Sequence, residues 1–314
     1  MRIHCVYNRL EQIPRAGEIR KVLLLSSLLM TALCAIAREP AHSPTSQVGV
    51  GPQYDSTHVY VAPDAVDEFV ASFLATFGGH SSKQVVATVT PTPSSTTSQI
   101  LQTPVGPISV FGFKTPIPHP FGAERTGYLV TDLDAAIQLA KKSGADVVVA
   151  TFPDPIGRDA VIQWPGGVDM QLYWHTTKPS YAALETVPEN RVYVSPERAD
   201  AFTRSFLRFS RGKVVSDDSL APGVEIGRPN DPYRRVRIES VFGKMTVFIT
   251  DGHLPYPYGI ELTGYEVTDL KGTLTKATTS GATVLVAPFT SERRDSAMVQ
   301  FPGGYIAEIH APAK

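Results

Sequence analysis

Apolar and polar positions repeat with two different periods along this chain, and the switches between them mark its elements. "HVYVA" (58–62) alternates and is β-branched, which predicts a strand. In "PDAVDEFVASFLATFGG" (63–79) the period changes. Val66, Phe69, Val70, Phe73 and Leu74 share one helical face, behind a proline and early acids and ahead of a Gly-Gly stop. Three strand candidates follow: "KQVVATVT" (83–90), "SQILQTPV" (98–105) and "PISVFGFKT" (107–115). The rhythm then restarts. "TGYLVT" (126–131) reads as a strand and "DLDAAIQLAKKSGA" (132–145) as a helix. "DVVVATF", "AVIQW" and "VDMQLYW" read as strands, the last two joined by a Pro-Gly-Gly turn. The pattern is βαβββ, written twice.

The whole arrangement then recurs. "RTGYLVTDLDAAI" begins at Arg125 and "LTGYEVTDLKGTL" at Leu262, while "VIQWPGG" (161–167) returns as "MVQFPGG" (298–304). These landmarks keep one constant offset. Upstream, "VYVAPDAVDEFVASFL" (59–74) matches "VYVSPERADAFTRSFL" (192–207) at an offset shorter by four, so the first copy lacks four residues between its first helix and Val105. A repeat this long is a duplicated folded domain rather than a solenoid unit. The expected organisation is a signal peptide over 1–37, a flexible tether over 38–56 and a first domain over 57–175. A linker over 176–189 and a second domain over 190–314 complete it.

The signal reading rests on "RKVLLLSSLLMTALCAIA" (20–37): a cationic lead, an apolar run and an Ala-x-Ala site with cleavage after Ala37. The apolar run is short for a membrane span. A lipoprotein reading through Cys34 is opposed by the bulky Leu33, and the long lead suggests a translation start downstream of Met1. Cleavage removes five of the 29 Lys/Arg and two of the 30 Asp/Glu, leaving a net charge of −4. Neither nucleic acid nor an anionic membrane surface is then an expected partner. Cleavage also removes both cysteines, Cys5 and Cys34, and with them thiolate chemistry and disulfides. The expected protein is exported, periplasmic or secreted, and a monomer built as an internal pseudo-dimer.

Paired βαβββ units, the "Y-x-V-T-D-L" strand-to-helix junction, the "S-G-A" helix end and the closing "P-G-G-x-x-x-E-I" hairpin resemble the vicinal oxygen chelate superfamily. That group includes glyoxalase I, bleomycin-resistance proteins and extradiol dioxygenases. The resemblance covers about 57–175 and 190–311. A ferredoxin-like barrel, the competing α+β fold, uses two strands after each helix rather than three. The resemblance implies an α+β fold of two tandem domains, each a pair of βαβββ units curled into a half-open cup. It also implies either a bare ligand pocket or one divalent metal (Zn, Fe, Mn or Ni) held by the first and last strands of the units. Such a metal chelates two adjacent substrate oxygens.

Carried over position by position, the first cup offers His58 and Gln171, with Arg125 where a histidine usually stands and no ligand in "PISVFGFKT". The second offers Glu308, with Arg191 and Leu262 at the other positions and nothing in "KMTVFIT". His310, two residues on, shares the pleat face of Glu308. Glu124 and Glu261 stand one residue before the register, so strict alternation points them away from the cups. The metal candidates are therefore His58, Glu308 and His310, fewer in either cup than the three protein ligands a catalytic metal needs. His58 and Glu308 meet only if a unit of one copy pairs with a unit of the other, in which case Arg191 and Gln171 face the second cavity. Any metal is expected in one cup alone.

Arg125 and Arg191 are candidates for binding an anion, or else for salt bridges such as one to Glu124. Gln171 and Tyr173 are further ligand-binding candidates. So are His119 and Tyr256, in the "HPFG" and "YPYG" loops whose aromatics can rim a pocket. No phosphate-cradling glycine loop, nucleophile elbow or HExxH motif is present. Two functions stay open: an exported glyoxalase-like protein whose cup binds a small oxygen-rich or aromatic molecule, with room for metal-assisted lyase, isomerase or dioxygenase chemistry, and a non-catalytic, metal-free sequestering protein of the bleomycin-resistance type. A third reading, with both cups filled by side chains, is structural.

Overall fold

The computed structural model describes residues 47–313. The proposed signal peptide lies outside the described residues. The first copy opens with β1 (Ser56–Val61), α1 (Val66–Phe77), β2 (His80–Ser81), β3 (Val85–Ala87), β4 (Thr96–Thr103) and β5 (Gly106–Phe113). Its second unit is β6 (Thr126–Leu129), α2 (Leu133–Ser143), β7 (Asp146–Asp154), β8 (Gly157–Trp164) and β9 (Val168–His175). The second copy begins β10 (Glu189–Val194), α3 (Pro196–Ser210), β11 (Lys213–Ala221), β12 (Tyr233–Ser240) and β13 (Gly243–Ile249). It closes with β14 (Leu262–Glu266), α4 (Leu270–Thr279), β15 (Thr283–Ser291), β16 (Arg294–Gln300) and β17 (Ile306–Pro312).

The repeated "T-D-L" phrase now has a physical purpose. Asp132 and Asp269 are the N-caps of α2 and α4, accepting from Ala135 N at 2.9 Å and Gly272 N at 3.1 Å. Each carboxylate satisfies a donor that the first helical turn leaves open. At the other end of α2, Gly144 takes φ 105°, a left-handed cap that suits glycine.

Each copy forms one sheet. The orders are β2-β4-β5-β1-β6-β9-β8-β7, with β3 also on β4, and β11-β12-β13-β10-β14-β17-β16-β15. The two orders correspond strand for strand, and the "TGY" strands β6 and β14 occupy equivalent places. β1 and β6 meet antiparallel at the centre of the first sheet, as β10 and β14 do in the second. Each cup is thus made by the two units of one copy, and the pairing across copies that would join His58 to Glu308 is not the one adopted.

The cores are shared the other way. Helices α2 and α3 pack together, burying Tyr128, Ile137 and Trp164 of the first copy with Val192, Phe202, Phe206 and Phe209 of the second. Helices α1 and α4 do the same, joining Val59, Phe69 and Phe73 to Tyr265, Phe301 and Tyr305. Alternation sorts each strand: Val59 and Val61 go to the core, His58 and Tyr60 to the cup. One difference from expectation lies at the start. Residues 47–56 are packed rather than a loose tether: Val48 is buried, Gly49 bridges Val130, and Val50 N bonds Leu129 O at 3.1 Å. Edge pairing to β6 supplies their backbone with partners that composition alone does not reveal. Among the described residues, no helix is long and apolar enough to cross a membrane.

Candidate functional site

The first cup encloses a cavity of about 250 Å³. Strand β1 supplies Ser56 and His58, β4 supplies Ser98 and Ile100, and β5 supplies Ser109 and Phe111. Asp159 of β8 and Gln171 and Tyr173 of β9 complete the floor, while Tyr181, from the segment between the copies, stands at its rim. His58 is buried, with Nδ1 3.3 Å from Glu124 Oε1, and the Tyr60 hydroxyl donates to the same oxygen. Phe111 packs edge-on to the imidazole, at 5.4 Å and 89°. A carboxylate behind Nδ1 fixes the ring and leaves Nε2 to face inward. What it faces is Gly127: a Cβ there would lie 2.4 Å from Nε2. Gly127 is paired with Gln171, whose amide donates to Asp159 Oδ2 at 2.7 Å. Burial, then the Asp154 charge and its hydrogen bond, raise the Asp159 carboxyl well above its usual range.

Two expectations change here. Glu124 turns into the cup rather than away from it, because it precedes β6 and alternation does not bind it. The inward position on that strand is Gly127 rather than Arg125, which precedes β6, and in the second copy it is Gly264 rather than Leu262. Glycine has no side chain and so offers no side-chain ligand atom at this position.

The second cup is built on the same frame with larger residues. At the positions of Ser56, His58, Ser98 and Gly157 stand Glu189, Arg191, Arg235 and Arg294. Arg191 Nη1 lies 3.0 Å from Glu189 Oε1 and 3.6 Å from Glu308 Oε1, with its guanidinium 4.6 Å over the Phe248 ring. Arg294 forks onto Glu189 at 3.0 and 3.1 Å. His310 Nδ1 holds the other Glu308 oxygen at 2.7 Å. Burial pushes Glu308 up, but His310 and Arg191 outweigh it and hold the carboxyl at about 2. Glu189 is likewise held well below its usual range, Arg294 and Arg191 overcoming its burial. Deeper in, the fully buried Arg235 binds Glu225 at 2.5 and 2.6 Å and Glu292 at 2.7 Å. Glu225 comes from a short 3-10 turn, Gly223–Ile226, in the connection 222–232, whose counterpart 88–95 is shorter. The longer connection of the second copy thus supplies the carboxylate that holds Arg235.

Neither donor set fits a catalytic divalent metal. In the first cup the candidate ligands His58 and Gln171 flank a glycine, and the nearby carboxylates are engaged elsewhere, Glu124 on His58 Nδ1 and Tyr60, and Asp159 on the Gln171 amide. The set falls short of the roughly three ligands needed. In the second, Glu308 and His310 are adjacent, but the fixed Arg191 cation stands in the third place. Among the described residues, no three His, Cys, Asp or Glu side chains gather as a metal cluster.

The remaining candidates scatter. Arg125 leaves the cup and lies 6.0 Å from the Tyr60 ring, beside a separate cavity shared with the second copy. His119 and Tyr256 are exposed on their loops, and neither lines the cavity of the first cup. Phe121 of the "HPFG" loop instead packs inward on Phe152, at 5.8 Å. A larger furrow, about 710 Å³, lies along α4 and β15, outside both cups.

No protein-family model and no curated protein matches the sequence of this chain. Solved structures do match its fold. A mutant of 4-hydroxymandelate synthase from Streptomyces coelicolor superposes with a TM-score of 0.57 at 12% identity, over 82% of this chain and 91% of its own. The 2,3-dioxygenase LapB from Pseudomonas sp. KL28 gives 0.50 at 12% identity, over 86% and 94%. The 2,2',3-trihydroxybiphenyl 1,2-dioxygenase of the dibenzofuran-degrading Sphingomonas wittichii strain RW1 gives 0.50 at 14%, over 86% and 92%. The chain therefore has the vicinal oxygen chelate fold in two tandem copies.

Proposed function

We propose that the first cup binds a small, single-ring, oxygen-bearing molecule and does so without a resident divalent metal. The observation that carries this is the cavity itself. It is open, about 250 Å³, walled by Phe111 and Ile100, and floored by Gln171, Tyr173 and His58, which Glu124 backs. That volume falls just below the ~300 Å³ at which pockets for drug-sized ligands begin. Aromatic walls suit a flat ring, and His58 Nε2 suits a hydroxyl or carbonyl oxygen. The fold neighbours named as dioxygenases raise the rival reading of metal-assisted ring chemistry, and the donor set weighs against it. The reading includes export, supported only by the sequence of residues 1–37. Intact mass of the exported protein tests that part, with the chain expected to begin near Arg38.

Binding is tested by titrating phenol, catechol and 4-hydroxybenzoate into protein stripped with EDTA and followed by calorimetry. Saturable binding of at least one is expected after stripping, weakened at least ~10-fold by His58→Ala and by Phe111→Ala. Binding that disappears with EDTA and returns with added iron or manganese would overturn the metal-free reading.

A further inference from the structure

A second cavity, about 170 Å³, lies where the copies meet, between the β1–β6 side of the first and the 260–263 and 304–306 segments of the second. Its polar end is Arg125 and Glu261, and Ile260, Leu262 and Ile306 form an apolar side. Among the described residues, no carboxylate oxygen lies within 4.0 Å of the Arg125 guanidinium. Glu261, half-buried, has its Oε1 shielded from solvent and without a hydrogen-bond partner. An unpaired guanidinium and an orphaned carboxyl oxygen in one cavity are groups awaiting a partner. We propose that this junction cavity is a second binding site, for a small monocarboxylate whose charged end is gripped by Arg125.

The chemistry favours that class over others. One guanidinium forks onto one carboxylate and leaves a dianion such as phosphate half compensated. A short hydrocarbon tail has the isoleucines and leucine to lie against. The facing charges agree: burial raises Glu261 to about 8, against the opposing pull of Arg125, with Asp169 and Glu124 adding to the rise. At neutral pH it is therefore a protonated donor that can accompany Arg125 on an anion. His58, Tyr60 and Tyr305 are the other titratable groups on the lining.

The probe is butyrate, with butyramide as the uncharged control, measured at pH 7 by calorimetry on the whole protein. Saturable binding of butyrate and not of butyramide is expected. Arg125→Gln is expected to weaken it at least ~10-fold, the loss typical of a charge-assisted hydrogen bond. Arg158→Gln, on β8 and paired with Asp134 away from this cavity, in contrast leaves it unchanged. Location is read independently of any variant by soaking crystals in 4-bromobutyrate, with anomalous density expected between Arg125 and Ile306. No saturable binding, equal binding of butyramide, unchanged affinity in Arg125→Gln or bromine density elsewhere would each overturn the proposal.

Discussion

The two cups share a frame and differ in what fills it. Tyr60 on Phe111 in the first repeats as Tyr193 on Phe248 in the second, at 5.3 and 4.9 Å between ring centroids. Around those rings the residues diverge in one direction. Ser56, His58, Ser98 and Gly157 leave space, whereas Glu189, Arg191, Arg235 and Arg294 occupy it and bind each other or nearby acids. A buried ion network is worth little against an apolar core, but each member is costly to remove once the others are in place. The second cup has therefore traded a cavity for a set of mutually dependent charges, and the first has kept the cavity.

Writing the first copy's residue into the second tests this most severely. Arg235→Ser restores the residue found at position 98 and leaves Glu225 in the interior without its cation, held only by the hydroxyls of Tyr233 and Ser291. We expect a loss of about 3–5 kcal/mol in urea unfolding. A loss below about 1 kcal/mol would mean the network is not what holds the second cup closed.

Acid separates the cups next. Glu308 has a folded pKa of about 2 against an ordinary 4.5, and Glu189 is also depressed. Their stabilisation is complete above about pH 4.5 and is lost as pH falls toward the folded values. For Glu308 the loss is at most about 3 kcal/mol. Stability measured at pH 6, 4 and 3 is expected to fall in the parent and to fall less in Glu308→Gln.

Arg191→His is expected to cost about 2 kcal/mol through the broken pairs. It also places an imidazole beside Glu308 and His310, completing three donors. One equivalent of zinc in calorimetry, abolished by adding Glu308→Gln, is the outcome that shows Arg191 standing in a ligand position. The smallest effect has the opposite sign and belongs to the first cup. Asp159 has a raised pKa, so its ionisation costs the folded state stability as pH rises through and beyond 3.8. Asp159→Asn is expected to raise Tm slightly at pH 7, its oxygen still accepting from Gln171.

The βαβββ rhythm, the duplication and the helix starts were readable because their signals are local: period, capping aspartates and turn glycines. The site was readable in part. His58 and Gln171 were found because the resemblance names strand positions, and they do share a floor. Glu124 was misread because a loop residue was assigned a pleat face. Gly127 carries no side chain, so residue chemistry alone does not single it out. The filling of the second cup was available in the sequence, since aligning the copies sets Ser98 against Arg235 and Gly157 against Arg294, but the consequence depends on which strands converge. The shared cores could not be read, because nothing local specifies which copy a helix packs against.

That sharing governs the order in which the chain can fold. Ser72 on α1 meets Ser280, the C-cap of α4, across 208 residues of sequence. The side of the first copy that carries Val59, Phe69 and Phe73 thus has no complete cover until Phe301 and Tyr305 have been synthesised. During synthesis the first cup is an unfinished surface whose apolar back waits for the far end of the chain, the kind of long-range closure that slows folding and invites misassociation. The second copy, whatever its own cup binds, is then the part that lets the first one finish.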